Sequence, residues 1–173
     1  MEQMACKLRI ENSWQRPKPG WVKINIDGWM STSRQRAAIG GALKGPNGGW
    51  LVGFEMVTSM ASIFQIEAQA ILKGLKLAWM RGFRQVEVEN NNALLIDTIR
   101  NNFAANSNTV EVRLIHDNKV DDYSAKTIGG GMNQLVVLVD PPSYVRRLLE
   151  EDIDSSMQVR CLGSSFSGIL VMY

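Results

Sequence analysis

The stretch VKINIDGWM, Val22–Met30, decides how this chain folds. Val22, Ile24 and Ile26 alternate with Lys23 and Asn25, the period of a half-buried strand. Asp27 follows at once, and Gly28 offers a place for the chain to turn. A carboxylate on a central strand needs a cation beside it or a shifted pKa. The rest of the sequence has to supply that partner.

Upstream, residues 1–20 form a lead-in ending in RPKPG, whose prolines and glycine exclude regular structure. Downstream, AAIGGALKGPNGGWLVGFEMV reads as a hairpin, with arms Ala38–Leu43 and Trp50–Met56 around the turn GPNGG. Three strands in an antiparallel meander are expected.

SIFQIEAQAILKGLKLAWMRG is the clearest helix. Ser62 and Gln65 make a capping box, and Gly82 can end it. Glu67, Ala70, Ile71, Gly74 and Ala78 share one face, while Gln69, Lys73, Lys76 and Met80 form the wetter stripe. The small residues let the helix lie close to a sheet, and Glu67 rides on that inward face. RQVEVE predicts a fourth strand, NNNALLIDTIR an Asn-capped helix, NTVEVRLIH a fifth strand and KVDDYSAKTIG a short helix. A meander followed by alternating units predicts an α/β fold, a mixed sheet with helices on its faces. QLVVLVD reads as a strand or an edge cover, PPSYVRRLLEEDID as a Pro-started amphipathic helix over 141–152, and the final residues show no pattern. The expected division is a lead-in at 1–20, a domain at 21–128 and a tail at 129–173.

Apolar residues are 45% and charged ones 21%, enough for a core and too ordered a composition for a disordered chain. A net charge of +2 permits nucleic acid as a partner without pointing to it. Cys6 and Cys161 have no metal-ligand spacing and read as reduced thiols. No signal peptide is visible, and no apolar run nears the roughly 20 residues that cross a bilayer. An intracellular monomer, nuclear or cytoplasmic, with no membrane and no protein partner is the expectation.

Three acids stand where a structural role is hard to supply: Asp27 on the first strand, Glu67 on the helix's inward face, Asp122 opening the last helix. Carboxylates converging from separate elements repel unless a divalent cation sits between them. Hard oxygens without a Cys or His cluster favour Mg²⁺ or Mn²⁺. Each acid also has a plainer reading, as a turn aspartate, a surface glutamate, or a charge in a helix's first turn.

WVKINIDG, IEAQAILKGLKLAWMRGF, VEVENNNALLIDTI and NKVDDYSAK, in that order, resemble the ribonuclease H fold. The likeness is to the plant branch related to the domain of retrotransposon reverse transcriptases, and PPSYVRRLLEED is similar to the tail of those plant proteins. It covers roughly residues 14–128 plus that tail. The resemblance implies a three-strand meander with two further parallel strands, and hydrolysis of the RNA strand of an RNA–DNA hybrid by two metal ions. It assigns Asp27, Glu67 and Asp122 to metal, and His116 to product departure. Contacts to the hybrid would come from the loop Gly28–Met30, including Trp29, from Asn90–Asn92, and from Lys73 and Lys76.

Two departures bear on activity. The family's acid after the fourth strand is Asn91 here, a neutral oxygen where a charged ligand is usual, so one ion should bind less well. Nine residues, NNFAANSNT, stand where the family places a further helix, which therefore looks missing. The expectation is a ribonuclease H-type endonuclease impaired by Asn91, with an inactive nucleic-acid-binding module or a degenerate retrotransposon-derived fragment as the alternative.

Overall fold

A computed structural model of the chain describes residues 15–101, 107–116, 134–143 and 168–172. β1 (Val22–Ser31), β2 (Arg36–Lys44) and β3 (Trp50–Thr58) form the expected antiparallel meander. α1 (Ile63–Met80) crosses it, and β4 (Val86–Asn90) then pairs in parallel with β1, Val22 opposite Val86 and Ile26 opposite Asn90. α2 (Ala93–Arg100) and α3 (Val110–His116) follow, then β5 (Val136–Leu138) and β6 (Gly168–Met172). Among the described residues, six strands are ordered β5-β3-β2-β1-β4-β6, and β1 with β4 is the parallel pair. This is the mixed sheet with helices that the alternation predicts.

α1 begins as the sequence requires. The Ser62 hydroxyl accepts from the Gln65 backbone N–H, and the Gln65 side chain accepts from the Ser62 N–H. Its small residues do the rest: a Cβ on Gly74 would stand 3.0 Å from Ile26 Cδ1 and 3.2 Å from Ile24 Cγ2. The core is the layer between this helix and the sheet, where Ile24, Leu43, Ile71, Leu75 and Val88 are fully buried. Burial of that kind contributes about 25 cal/mol per Å² of apolar surface.

Three expectations change. Gly28 does not turn the chain, and Gly28–Met30 is strand, not loop. β1 runs to Ser31 because β2 keeps pairing with it down to Arg36, which moves the turn to Thr32–Gln35. β1 is also buried on both faces at its start, since Lys23 is 1% exposed. Its ammonium lies 3.5 Å from Glu87 and 3.8 Å from Glu89, and donates to the Gln15 carbonyl at 2.6 Å. Asp27, by contrast, is exposed. The buried charge of this strand is thus the lysine, and β4 supplies its partners.

The third change concerns the fifth strand. Val110–His116, the core of NTVEVRLIH, is the helix α3. Its apolar residues satisfy both periods, and Val112 with Ile115, three apart, are the ones buried. The outer edge of β4 is already taken: β6 pairs antiparallel along its whole length, Val86 opposite Met172 to Asn90 opposite Gly168. The strands added at both sheet edges are therefore antiparallel to their neighbours, where a second parallel strand was expected. α3 packs on α1 and α2, so the nine-residue gap does not leave the sheet without a third helix. QLVVLVD contributes β5 at the β3 edge and covers no face. The helices expected at 119–129 and 141–152 lie outside the described residues beyond Ser143, as do Cys6 and Cys161. Among the described residues, no helix is long and apolar enough to cross a membrane.

Candidate functional site

Glu67 lies in the second turn of α1, on the face pressed to the sheet, and is 8% exposed. What brings it there is Gly28. A Cβ at Gly28 would lie 3.0 Å from Ile66 Cγ2, 3.1 Å from Glu67 Cγ and 3.3 Å from the Glu67 backbone nitrogen. The start of α1 thus rests on β1 at a residue with no side chain, next to Asp27.

Burial pushes the Glu67 carboxyl above its ordinary pKa. A hydrogen bond with the Asn92 side chain works the other way, and the Asp27 charge adds to the rise. The Glu67 Oε2 atom is buried with no hydrogen-bond partner. Asp27 belongs to the polar row of β1, with Lys23, Asn25 and Trp29, at the point where that row reaches solvent. Its charge nonetheless adds to the rise in the Glu67 pKa, although alternation turns Asp27 to the sheet face away from α1. The two acids are thus within Coulombic range of each other.

The end of β4 is fixed by amides. Asn90 is 2% exposed, and its side chain donates to the Ile26 carbonyl at 3.4 Å and accepts from the Asn92 N–H at 2.8 Å. Asn92 caps α2, its side-chain oxygen accepting from the Leu95 N–H at 3.0 Å. The last pair of the β1–β4 register is Ile26 with Asn90, so Asp27 and exposed Asn91 are the next residues on neighbouring strands. Sequence reasoning expected an Asn to cap this helix and weighed Asn91 for it; the cap is Asn92, and its bond to Glu67 was missed. The cap spacing is local, whereas the partner comes from a helix 25 positions earlier.

The remaining candidates are placed less centrally. His116 ends α3 and is half-buried. Among the described residues, no group of three or more His, Cys, Asp or Glu side chains is arranged to hold a metal ion. Asp122 and its neighbour Asp121 lie outside them. Lys73 and Lys76 are half-buried rather than fully wet. Burial and then the Lys76 charge lower the proton affinity of Lys73, while Glu111 on α3 raises it. Arg84 lies 5.4 Å from the centre of the Trp79 ring and donates to the Trp79 carbonyl at 3.0 Å, so it closes the end of α1.

Residues 25–118 match the family described as reverse transcriptase-like. An Arabidopsis thaliana protein named for ribonuclease H is 31% identical over 94 residues, which is 53% of this chain and 15% of that relative. The chain thus spans a small part of that relative's length. The solved structure of RNase H1 from Halobacterium salinarum aligns with a TM-score of 0.48 at 21% identity, over 59% of this chain and 75% of that one. With more than half of its residues matched, this chain belongs to the reverse transcriptase-like, ribonuclease H-like family.

Proposed function

We propose that the chain binds RNA–DNA hybrids and hydrolyses their RNA strand, with a divalent cation held by Asp27 and Glu67. One observation carries the reading: a buried glutamate oxygen with no hydrogen-bond partner, within Coulombic range of the Asp27 charge. Folding leaves such an oxygen unpaired at a cost of about 1–3 kcal/mol or more. A hard cation would satisfy it and cancel the repulsion from Asp27. The donors are carboxylate and amide oxygens, which suits Mg²⁺ or Mn²⁺. When bound, the ion would lower the pKa of a coordinated water and stabilise charge on the phosphate.

The chain's own residues would do the rest. Glu67, fixed by α1 and by Asn92, sets where the cation sits, and Asp27 faces solvent where substrate arrives. Backbone groups of Gly28–Met30 and Asn90–Asn92 would line the path of the hybrid and read its 2′-hydroxyls. Lys73 and Lys76 would add phosphate contacts, weakened by their partial burial. A second ion, held through Asp122 and with His116 aiding product departure, completes the two-metal reading. Asn91 beside Asp27 offers no charge to it, so turnover should be slow.

A second reading, a module that binds the hybrid without cutting it, is favoured by exposed Asn91, a neutral amide that follows Asn90 where the β1–β4 register ends beside Asp27. The test is a labelled hybrid incubated with the chain and with Asn91→Asp, in Mg²⁺ and in Mn²⁺. Slow cleavage that Asn91→Asp accelerates is expected of the enzyme. Cleavage by the variant alone supports the binding module, and equal cleavage shows that Asn91 was never limiting. Absence of both binding and cleavage removes both readings.

A further inference from the structure

The sheet face turned away from α1 carries an apolar row in strict register. Trp29 on β1 pairs with Ala38 on β2, and Ala38 pairs with Val57 on β3. Their neighbours Ala37, Ile39 and Met56 are buried toward α1, so alternation turns these three the other way. Trp29 is 51% exposed and Val57 59%. Ala38 between them is small, which leaves the indole a flat, low neighbour.

Charge is divided on either side of this row. The next row in one direction holds Asp27, Gly40 and Glu55, with both acids exposed. In the other direction Ser31 pairs with Arg36, diagonal to Trp29 and within reach of a long side chain. Arg34 and Arg36 are exposed, and neither makes an ion pair among the described residues. The turn that carries them is held by its own bonds. The Arg34 N–H donates to the Ser31 hydroxyl at 3.4 Å, and the Gln35 side chain to the Thr32 carbonyl at 2.7 Å.

An indole with half its surface free, next to unpaired guanidiniums, fits a ligand with a flat ring and an anionic link. That combination is a nucleotide. A base inside a duplex cannot present its face to a side chain, whereas an unpaired one can. In the metal-free chain the acids on the far side set the polarity, because they repel phosphate and direct it toward Arg36. We propose that Trp29 and Arg36 form a stacking site for an unpaired base, so that the chain prefers a hybrid carrying a single-stranded extension. The location relative to Asp27 rests on the hybrid-cleaving reading, but the site itself does not.

The test is fluorescence anisotropy without metal, so that cleavage plays no part. The probes are a labelled single strand, a blunt hybrid, and the same hybrid with a single-stranded extension. The extension should tighten binding by the intact chain about ten-fold, the order that stacking one base supplies. Trp29→Ala should lose that ten-fold over and above any loss on the blunt hybrid, while Trp29→Phe keeps most of it. Arg36→Ala should weaken binding and flatten its salt dependence. No gain from the extension, or equal losses on both hybrids with Trp29→Ala, overturns the proposal. Tryptophan-dependent binding of the single strand with no affinity for the blunt hybrid removes the hybrid-cleaving reading and leaves this site standing.

Discussion

Glu67 sits where a side chain on Gly28 would have to be, its Cγ 3.1 Å from that missing Cβ. The contact ties the start of α1 to the strand that carries Asp27. Even the smallest side chain at Gly28 has to push Ile66 or Glu67 outward. Gly28→Ala should therefore destabilise the fold by about 1–3 kcal/mol, the usual range for overpacking. It should also abolish any rise in melting temperature on adding Mg²⁺, because Glu67 shifts away from Asp27. Urea unfolding with and without Mg²⁺ measures both. Unchanged stability would mean that α1 does not rest on Gly28.

The raised proton affinity of Glu67 gives a pH dependence of known sign. Its ordinary value is 4.5 and its folded value is higher, so the folded state holds more protons than the unfolded one between the two. Stability from this group is then greatest in acid and falls as pH rises through the folded value. Glu67→Gln removes the charge and keeps the shape. Without metal, it should be more stable than the parent at pH 7, by about 1 kcal/mol, because the buried charge and its repulsion from Asp27 are gone. The difference should vanish near pH 4. With Mg²⁺ the order should reverse, since ligand binding stabilises only the chain that can hold it. Thermal melts at pH 4 and pH 7 decide this, and a variant less stable than its parent at pH 7 without metal would refute it.

Much of this arrangement could be read from local pattern. The alternation of Val22, Ile24 and Ile26, the Ser62–Gln65 box and the Asn cap before Ala93 each need only a few neighbouring residues. What stayed hidden depends on distant pairing. Lys23 looked like the wet side of a strand because Glu87 and Glu89 reach it only once β4 lies beside β1. Val110–His116 carries both helical and strand periods, and the choice falls to β6, which occupies the edge of β4 from far along the chain. A capping Asn is visible before Ala93, but which of the three asparagines caps, and that Asn92 is the partner of Glu67, is not. The acid pair itself could be proposed from the helix face, but the Gly28 contact that sets the start of α1 against the strand of Asp27 could not.

Lys23 makes a sharper test of the sheet's second face. Removing one member of a buried ion pair leaves the other uncompensated, at about 3–5 kcal/mol where both are fully buried. Here the side chains of Glu87 and Glu89 are 13% and 20% exposed, so part of that cost is relieved by water. Lys23→Met should cost about 2 kcal/mol, with the lysine's packing kept and the two acids left facing each other. Adding Glu87→Gln and Glu89→Gln should recover most of the loss. If the triple variant is no more stable than Lys23→Met, the lysine acts through its bond to the Gln15 carbonyl instead. Denaturant midpoints for the three proteins separate these outcomes.

Asn92 links capping to the acid pair, and two substitutions pull the roles apart. Its oxygen caps α2 at the Leu95 N–H while its side chain also bonds to Glu67. Asn92→Ala loses both and should cost about 1 kcal/mol from the cap alone. It should raise the proton affinity of Glu67 further, which deepens the loss of stability as pH rises above the ordinary value of 4.5. Asn92→Asp keeps an oxygen for the cap but sets a third negative charge against Glu67 and Asp27. Without metal, that variant should be the less stable of the two at pH 7 and should recover in acid. With Mg²⁺ it should gain more than the parent, because a carboxylate there replaces a neutral donor beside a cation. Melting temperatures across a Mg²⁺ titration read this directly. Equal gains for Asn92→Asp and Asn92→Ala would place the cation out of reach of residue 92, and with it out of reach of Glu67.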